Sequence, residues 1–222
     1  MPSEPKEIVV LLHGLGHSML NMELLARALK KRGYETLNIS YPSLQNDIKS
    51  LSKWLNKKLT DERVWERSDK IHFVTLSMGG LVAGFYLQDF EAQIRQNKIG
   101  RVVMLGPPHG GSEIADRLQG FWLYKFIFGP AGQELGTEIR QQDRITPTYE
   151  LGIIAGTQNW MYPLGKAFIK SPHDGCVSVE STKLGGMKDH IILSVMHLTM
   201  GWSSKVRDEV IYFLQNGAFK HG

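Results

Sequence analysis

Short apolar runs that alternate with helical repeats constrain this chain more than any other feature. Ile8 to Leu12 is five apolar residues in a row, a pattern suited to a strand buried on both faces. His13-Gly14-Leu15-Gly16 breaks the run. Met22, Leu25, Ala26 and Leu29 then recur at helical spacing, with Lys30 to Arg32 at the helix end and Gly33 as its stop. The same unit recurs along the chain. Strands are predicted over Tyr34–Ile39, Ile71–Leu76, Arg101–Leu105, Leu151–Ala155 and Ile191–Val195. Helices are predicted through Ile48, Leu51, Leu55 and Leu59, from Met78 to Phe90, and from near Ser203 with Val206, Val210, Phe213 and Leu214 facing inward. Such alternation implies an α/β fold: a mostly parallel six-stranded sheet with helices on both faces and right-handed crossovers.

A chain of 222 residues fits one domain of this kind, spanning 1–222. The interval 112–150 is too long for one helical crossover and carries the aromatic cluster Phe121 to Phe128. We read it as a candidate lid or pocket insertion, with Phe121 and Trp122 as candidate substrate contacts. The same cluster, with Lys125, is a candidate for transient contact with a membrane or lipid surface.

Composition excludes several function classes. Lys and Arg number 26 against 22 Asp and Glu, a net +4 with no basic patch denser than Lys30-Lys31-Arg32, so nucleic acid is not an expected partner. One cysteine, Cys176, excludes a disulfide framework and any multi-cysteine metal site. No H-E-x-x-H spacing occurs, and no metal is expected. The longest stretch without a charge, Ile71 to Gln88, is too short and too polar for a membrane span. Met1 to Glu7 has no signal-like pattern, and a cytoplasmic location is the expectation.

The chemistry is carried by Thr75-Leu76-Ser77-Met78-Gly79-Gly80, where the third strand must turn sharply into a helix. Ligands in open α/β sheets bind beyond the carboxyl ends of strands, so a serine on this turn points at the expected site. The turn is tight and needs small neighbours, which Gly79 and Gly80 supply. Ser77 is thus the candidate nucleophile. His13-Gly14-Leu15-Gly16 follows the first strand directly. Backbone N–H groups of Leu15 and Met78 are the candidate oxyanion donors, with Gly14 and Gly16 allowing close approach of a ligand. The rival reading as a phosphate loop lacks the third glycine and the Lys-Ser/Thr such loops need.

A serine hydroxyl needs a base. Strand polarity selects His197, which follows the sixth strand, over His190, which precedes it. His109, on the loop after the fourth strand, is a candidate wall residue. The imidazole needs an acid to hold its tautomer. Asp174, on the Pro172-His173-Asp174-Gly175 turn between strands five and six, is the candidate; Asp189 lies at the wrong strand end.

Together these segments resemble the α/β-hydrolase superfamily, in its small bacterial lipase/esterase branch. The resemblance is carried by Val9-Val10-Leu11-Leu12-His13-Gly14-Leu15-Gly16, by Ile71 to Val82 around Ser77, and by Val102 to Ser112 with Pro107-Pro108-His109-Gly110-Gly111. It implies a minimal hydrolase core without a large cap domain. It further implies Ser77, Asp174 and His197 as catalytic residues, with Leu15 and Met78 as oxyanion donors. His13, Gly14, Gly16, Leu76 and His109 become candidate substrate-binding residues. Two positions depart from the family pattern: Thr75 stands where glycine is usual, and Leu76 where many members carry histidine, which would make the rim more apolar. The implied activity is hydrolysis of a small-molecule or lipid-like ester through an acyl-enzyme, with no cofactor. The alternatives are a thioesterase or acyltransferase with the same triad, or a binding protein on the hydrolase scaffold.

Overall fold

A computed structural model describes residues 6–91, 94, 96–111, 145–160, 169 and 171–221. Six strands form one sheet: β1 (Glu7–Leu12), β2 (Glu35–Ile39), β3 (Lys70–Leu76), β4 (Ile99–Leu105), β5 (Leu151–Gly156) and β6 (Asp189–Leu193). Their spatial order is β2-β1-β3-β4-β5-β6. All five neighbouring pairs are parallel, where sequence pattern had implied a mostly parallel sheet.

Period-two alternation divides the core between the two faces. Ile8, Val10 and Leu12 of β1 join one apolar cluster with Ile71 and Phe73; Val9 and Leu11 join the other with Val74 and Leu76. The first face is covered by α2 (Ile48–Asp61), the short α3 (Val64–Arg67) and α4 (Met78–Asp89). The second is covered by α1 (Glu23–Lys30) and α6 (Ser204–Asn216). A further short helix, α5 (Val179–Thr182), precedes β6.

Local chemistry sets the helix ends. Asp47 caps α2 by accepting from the Ser50 N–H at 2.7 Å, and Ile48, Leu51, Leu55 and Leu59 form its buried stripe. Ser203 caps α6, and Gly217 ends it in the left-handed region at φ 75°. α4 differs, because every residue from Met78 to Leu87 is buried. A helix apolar on all sides belongs inside, and Gly79 lets it lie there. A Cβ on Gly79 would sit 2.7 Å from the His13 carbonyl oxygen and 2.9 Å from that of Leu12.

β1 and β3 are adjacent, while β2 lies on the far side of β1. The chain reverses its direction of travel across the sheet between β1 and β3. In open α/β sheets ligands bind at such a switch point, here between the loop after β1 and the turn after β3. Among the described residues no helix is long and apolar enough to cross a membrane.

Candidate active site

Ser77 joins β3 to α4 with φ 54° and ψ −126°, one of three described non-glycine residues at positive φ. A side chain in that region costs about 1–3 kcal/mol and persists only where the surroundings impose it. Here the Ser77 N–H donates to the Leu105 carbonyl of β4 at 2.8 Å, and the Gly80 N–H donates back to the Ser77 carbonyl at 2.9 Å. The serine is thus held on a strained corner at the carboxyl end of the central strands.

His197 opens the 3-10 helix His197–Trp202, just beyond β6. Its Nδ1 lies 2.7 Å from Asp174 Oδ2, and Asp174 is fully buried. The other carboxylate oxygen, Oδ1, accepts from the Val177 N–H at 2.8 Å and the Cys176 N–H at 3.0 Å. The His197 N–H in turn donates to the Asp174 carbonyl at 3.0 Å. Asp174 is therefore anchored by its own turn, with one oxygen left for the imidazole.

Gly106 joins the two halves of the site. It follows Leu105, the partner of Ser77, and stands at φ 54°. A Cβ there would lie 3.0 Å from Asp174 Oδ2 and 3.1 Å from His197 Nδ1. The strained serine bonds to Leu105 and the His–Asp pair packs on Gly106, so both lie against one backbone segment.

The loop after β1 closes the opposite wall. A Cβ on Gly14 would fall 3.2 Å from Ser77 Cβ, so this backbone lies against the nucleophile turn. The Met78 N–H is in the first turn of α4, where helical N–H groups have no intrahelical partner. Leu15 is partly buried and its side chain packs toward the α2/α4 core. Gly16 is exposed at φ 68°, and its N–H donates to Ser43 Oγ at 3.1 Å.

Two predicted substrate contacts, His13 and Leu76, have other placements. His13 is fully buried, stacked on Tyr41 at 4.3 Å between ring centres. Its Nε2 accepts from the Tyr41 N–H at 3.2 Å, which leaves Nδ1 to donate to the Gly14 carbonyl at 2.8 Å. Both nitrogens are engaged, so the ring braces the loop and has no atom left for a ligand. Leu76 is fully buried in the α1/α6 core rather than on the rim, because it shares the sheet face of Val74. His109 is half-buried, with Nε2 3.3 Å from Met104 Sδ. Phe121 and Trp122, with residues 112–144 of the predicted insertion, lie outside the described residues.

One site residue has no place in the reading of the sequence. His17 stands on the β1 loop with Nδ1 3.2 Å from the Gly14 Cβ position, the same point that approaches Ser77. Burial and the nearby rings of His197 and His13 hold its pKa below the ordinary imidazole value. The strand-polarity argument that selects His197 applies equally to a loop after β1. Chain order in a serine triad restricts that search to histidines after the nucleophile, which passes over His17.

Around the site, loops at the carboxyl end expose large apolar side chains: Met19, Leu20, Leu44, Trp160, Leu198 and Trp202. Among the described residues no cluster of three or more His, Cys, Asp or Glu could hold a metal ion.

A serine at positive φ on a strand–helix corner, with a His–Asp pair at the same end of an all-parallel sheet, is an arrangement found in α/β-fold hydrolases. The family model for the alpha/beta hydrolase family matches residues 9–172, and the chain belongs to that family. Among solved structures, it is similar to the mature form of the Bacillus licheniformis lipase BlEst2, with a TM-score of 0.79 and 21% identity over 98% of this chain and 93% of that one. It is also similar to a Listeria innocua gene product, with a TM-score of 0.66 and 16% identity over 98% of this chain and 100% of the other. A thermophilic esterase from Thermogutta terrifontis shares the fold at a TM-score of 0.63 and 10% identity, covering 96% and 91%. No curated protein matches the chain in sequence.

Proposed function

We propose that the protein hydrolyses carboxylic esters through an acyl-enzyme on Ser77. The observation that carries this reading is the buried His197–Asp174 pair, 2.7 Å apart, set against the turn that holds Ser77. With Nδ1 bonded to Asp174, His197 keeps Nε2 for the Ser77 hydroxyl proton. Asp174 stabilises the imidazolium that results. Ser77 Oγ attacks the ester carbonyl, and the Leu15 and Met78 N–H groups hold the oxyanion. His197 then gives its proton to the departing alcohol. Water enters, loses a proton to His197 and attacks the acyl-enzyme, and collapse of the second intermediate returns the proton to Ser77.

His13 supports the oxyanion loop in this reading. A trans peptide points its C=O and N–H to opposite sides. By holding the Gly14 carbonyl, the His13 ring turns the Leu15 N–H of the same peptide the other way. The exposed apolar side chains at this end favour an apolar acyl or alcohol group in the substrate. The similarity of the fold to a lipase and to an esterase supports that choice.

The test is a series of 4-nitrophenyl esters from acetyl to octanoyl, with wild type and Ser77→Ala side by side. Wild type should turn over, with butyryl or longer esters preferred to acetyl. Ser77→Ala should lose nearly all turnover while melting normally. Unchanged hydrolysis by Ser77→Ala excludes the assignment.

A further inference from the structure

We propose that His17 is a further catalytic residue, whose Nδ1–H donates to the oxyanion from the β1 loop beside the two backbone donors. This rests on the acyl-enzyme reading above. His17 Nδ1 and Ser77 Cβ are each 3.2 Å from one point, the place a Cβ on Gly14 would occupy. The imidazole nitrogen and the carbon that carries the nucleophile therefore lie beside the same point of the loop backbone. That nitrogen is shielded from solvent and has no hydrogen-bond partner among the described residues. A buried polar atom left in this state is costly and calls for an explanation, a role in catalysis among them. His17 stands on the loop that packs against the nucleophile turn, and the partner assigned to its Nδ1 is an atom of the substrate bound on Ser77.

The chemistry of the ester decides which form of the ring takes part. Burial and the rings of His197 and His13 disfavour the charged imidazolium, so the ring is neutral near pH 7, with one N–H and one lone pair. An ester presents only acceptors at its reacting centre. Its carbonyl oxygen becomes a far stronger acceptor as negative charge develops, so the Nδ1–H form is selected most strongly in the transition state. No covalent change or net proton transfer at His17 is involved.

Three variants and one spectrum test this. His17→Leu should lower kcat on 4-nitrophenyl butyrate about 10- to 100-fold with KM within about twofold, less than the loss of a primary oxyanion donor. His17→Asn places an amide N–H near the former Nδ1 and should recover most of the rate. His17→Gln reaches further, toward Nε2, and should recover little. A wild-type kcat in His17→Leu, a loss confined to KM, or better rescue by Gln than by Asn overturns the proposal. Wild-type protein labelled with nitrogen-15 in histidine supplies a readout independent of variant folding. In the butylboronic acid adduct, His17 Nδ1 should carry the proton; an unprotonated Nδ1 there also overturns it. The parent reading is tested separately by Ser77→Ala. If Ser77→Ala is inactive while His17→Leu matches wild type, the ester hydrolase stands and the role of His17 falls.

Discussion

Asp174 allows its catalytic and structural work to be separated by two substitutions. In Asp174→Asn the amide oxygen can keep the bonds from Val177 and Cys176 that Oδ1 now accepts at 2.8 and 3.0 Å. Flipping the amide would set its NH2 against those two N–H donors, so the orientation is dictated. The NH2 must then face His197 Nδ1, where Oδ2 now lies at 2.7 Å. Two donors cannot face each other, so His197 is driven to the tautomer with its proton on Nε2. That tautomer cannot take the Ser77 proton, and a loss of about 10,000-fold in kcat is expected, with stability within about 1 kcal/mol of wild type. Asp174→Ala should lose as much activity and also remove the carboxylate oxygen that the buried Val177 N–H and the half-buried Cys176 N–H now donate to. Those two groups together cost about 2–4 kcal/mol. For a chain of this size that lowers the melting temperature by about 5–15 °C. Turnover of 4-nitrophenyl butyrate and thermal unfolding by circular dichroism read the two effects. Asn within tenfold of wild-type kcat refutes the tautomer argument. Alanine melting with asparagine refutes the anchoring argument.

Two further perturbations follow from the same geometry. Ser77→Gly should be inactive yet about 1 kcal/mol more stable than Ser77→Ala, because glycine relieves the positive φ of 54° by more than it loses in unfolded-chain entropy; equal urea midpoints would deny the strain. His72 is buried and accepts from the Arg101 N–H through Nδ1 at 2.9 Å, and burial, aided by the Arg101 and Lys70 charges, lowers its pKa to about 4. The unfolded chain then binds a proton near pH 6.5 that the folded chain refuses until about 4. Its contribution is complete above pH 6.5 and lost as pH falls toward 4, about 3 kcal/mol in all. His13, His17 and His190 shift in the same direction, so wild type should be compared with His72→Asn, whose amide oxygen can still accept from Arg101. Parallel stability curves for the two between pH 6.5 and 4.5 would show that His72 carries no such load.

Much of the fold was legible because its signals are local. The apolar run of β1, the helical repeat of α2 and the cap at Ser203 each depend on residues close in sequence, and each element lies where the pattern predicted it. Boundaries were less legible where pairing sets them. β4 begins at Ile99 rather than Arg101, beside an irregular register with β3 between Ile71 and Phe73. His72 closes that irregularity with a side-chain bond to the Arg101 N–H, a contact between residues 29 apart in sequence. β6 begins at Asp189 and ends at Leu193, two residues earlier at each end than its apolar run suggests.

Chain direction placed Ser77, Asp174 and His197 at strand ends of one polarity, since a parallel strand delivers whatever follows it to the same edge of the sheet. Sequence by itself therefore determined the architecture, the end of the sheet that bears the candidate site, and which histidine and aspartate stand there. Tertiary structure decided where individual side chains go. It set β1 beside β3, turned the His13 ring onto Tyr41, buried Leu76 with Val74, and left His17 on the backbone loop that packs against the Ser77 turn. The physical reason is that periodicity and chain direction are properties of a segment alone. The destination of a side chain is a property of the neighbours that packing brings against it.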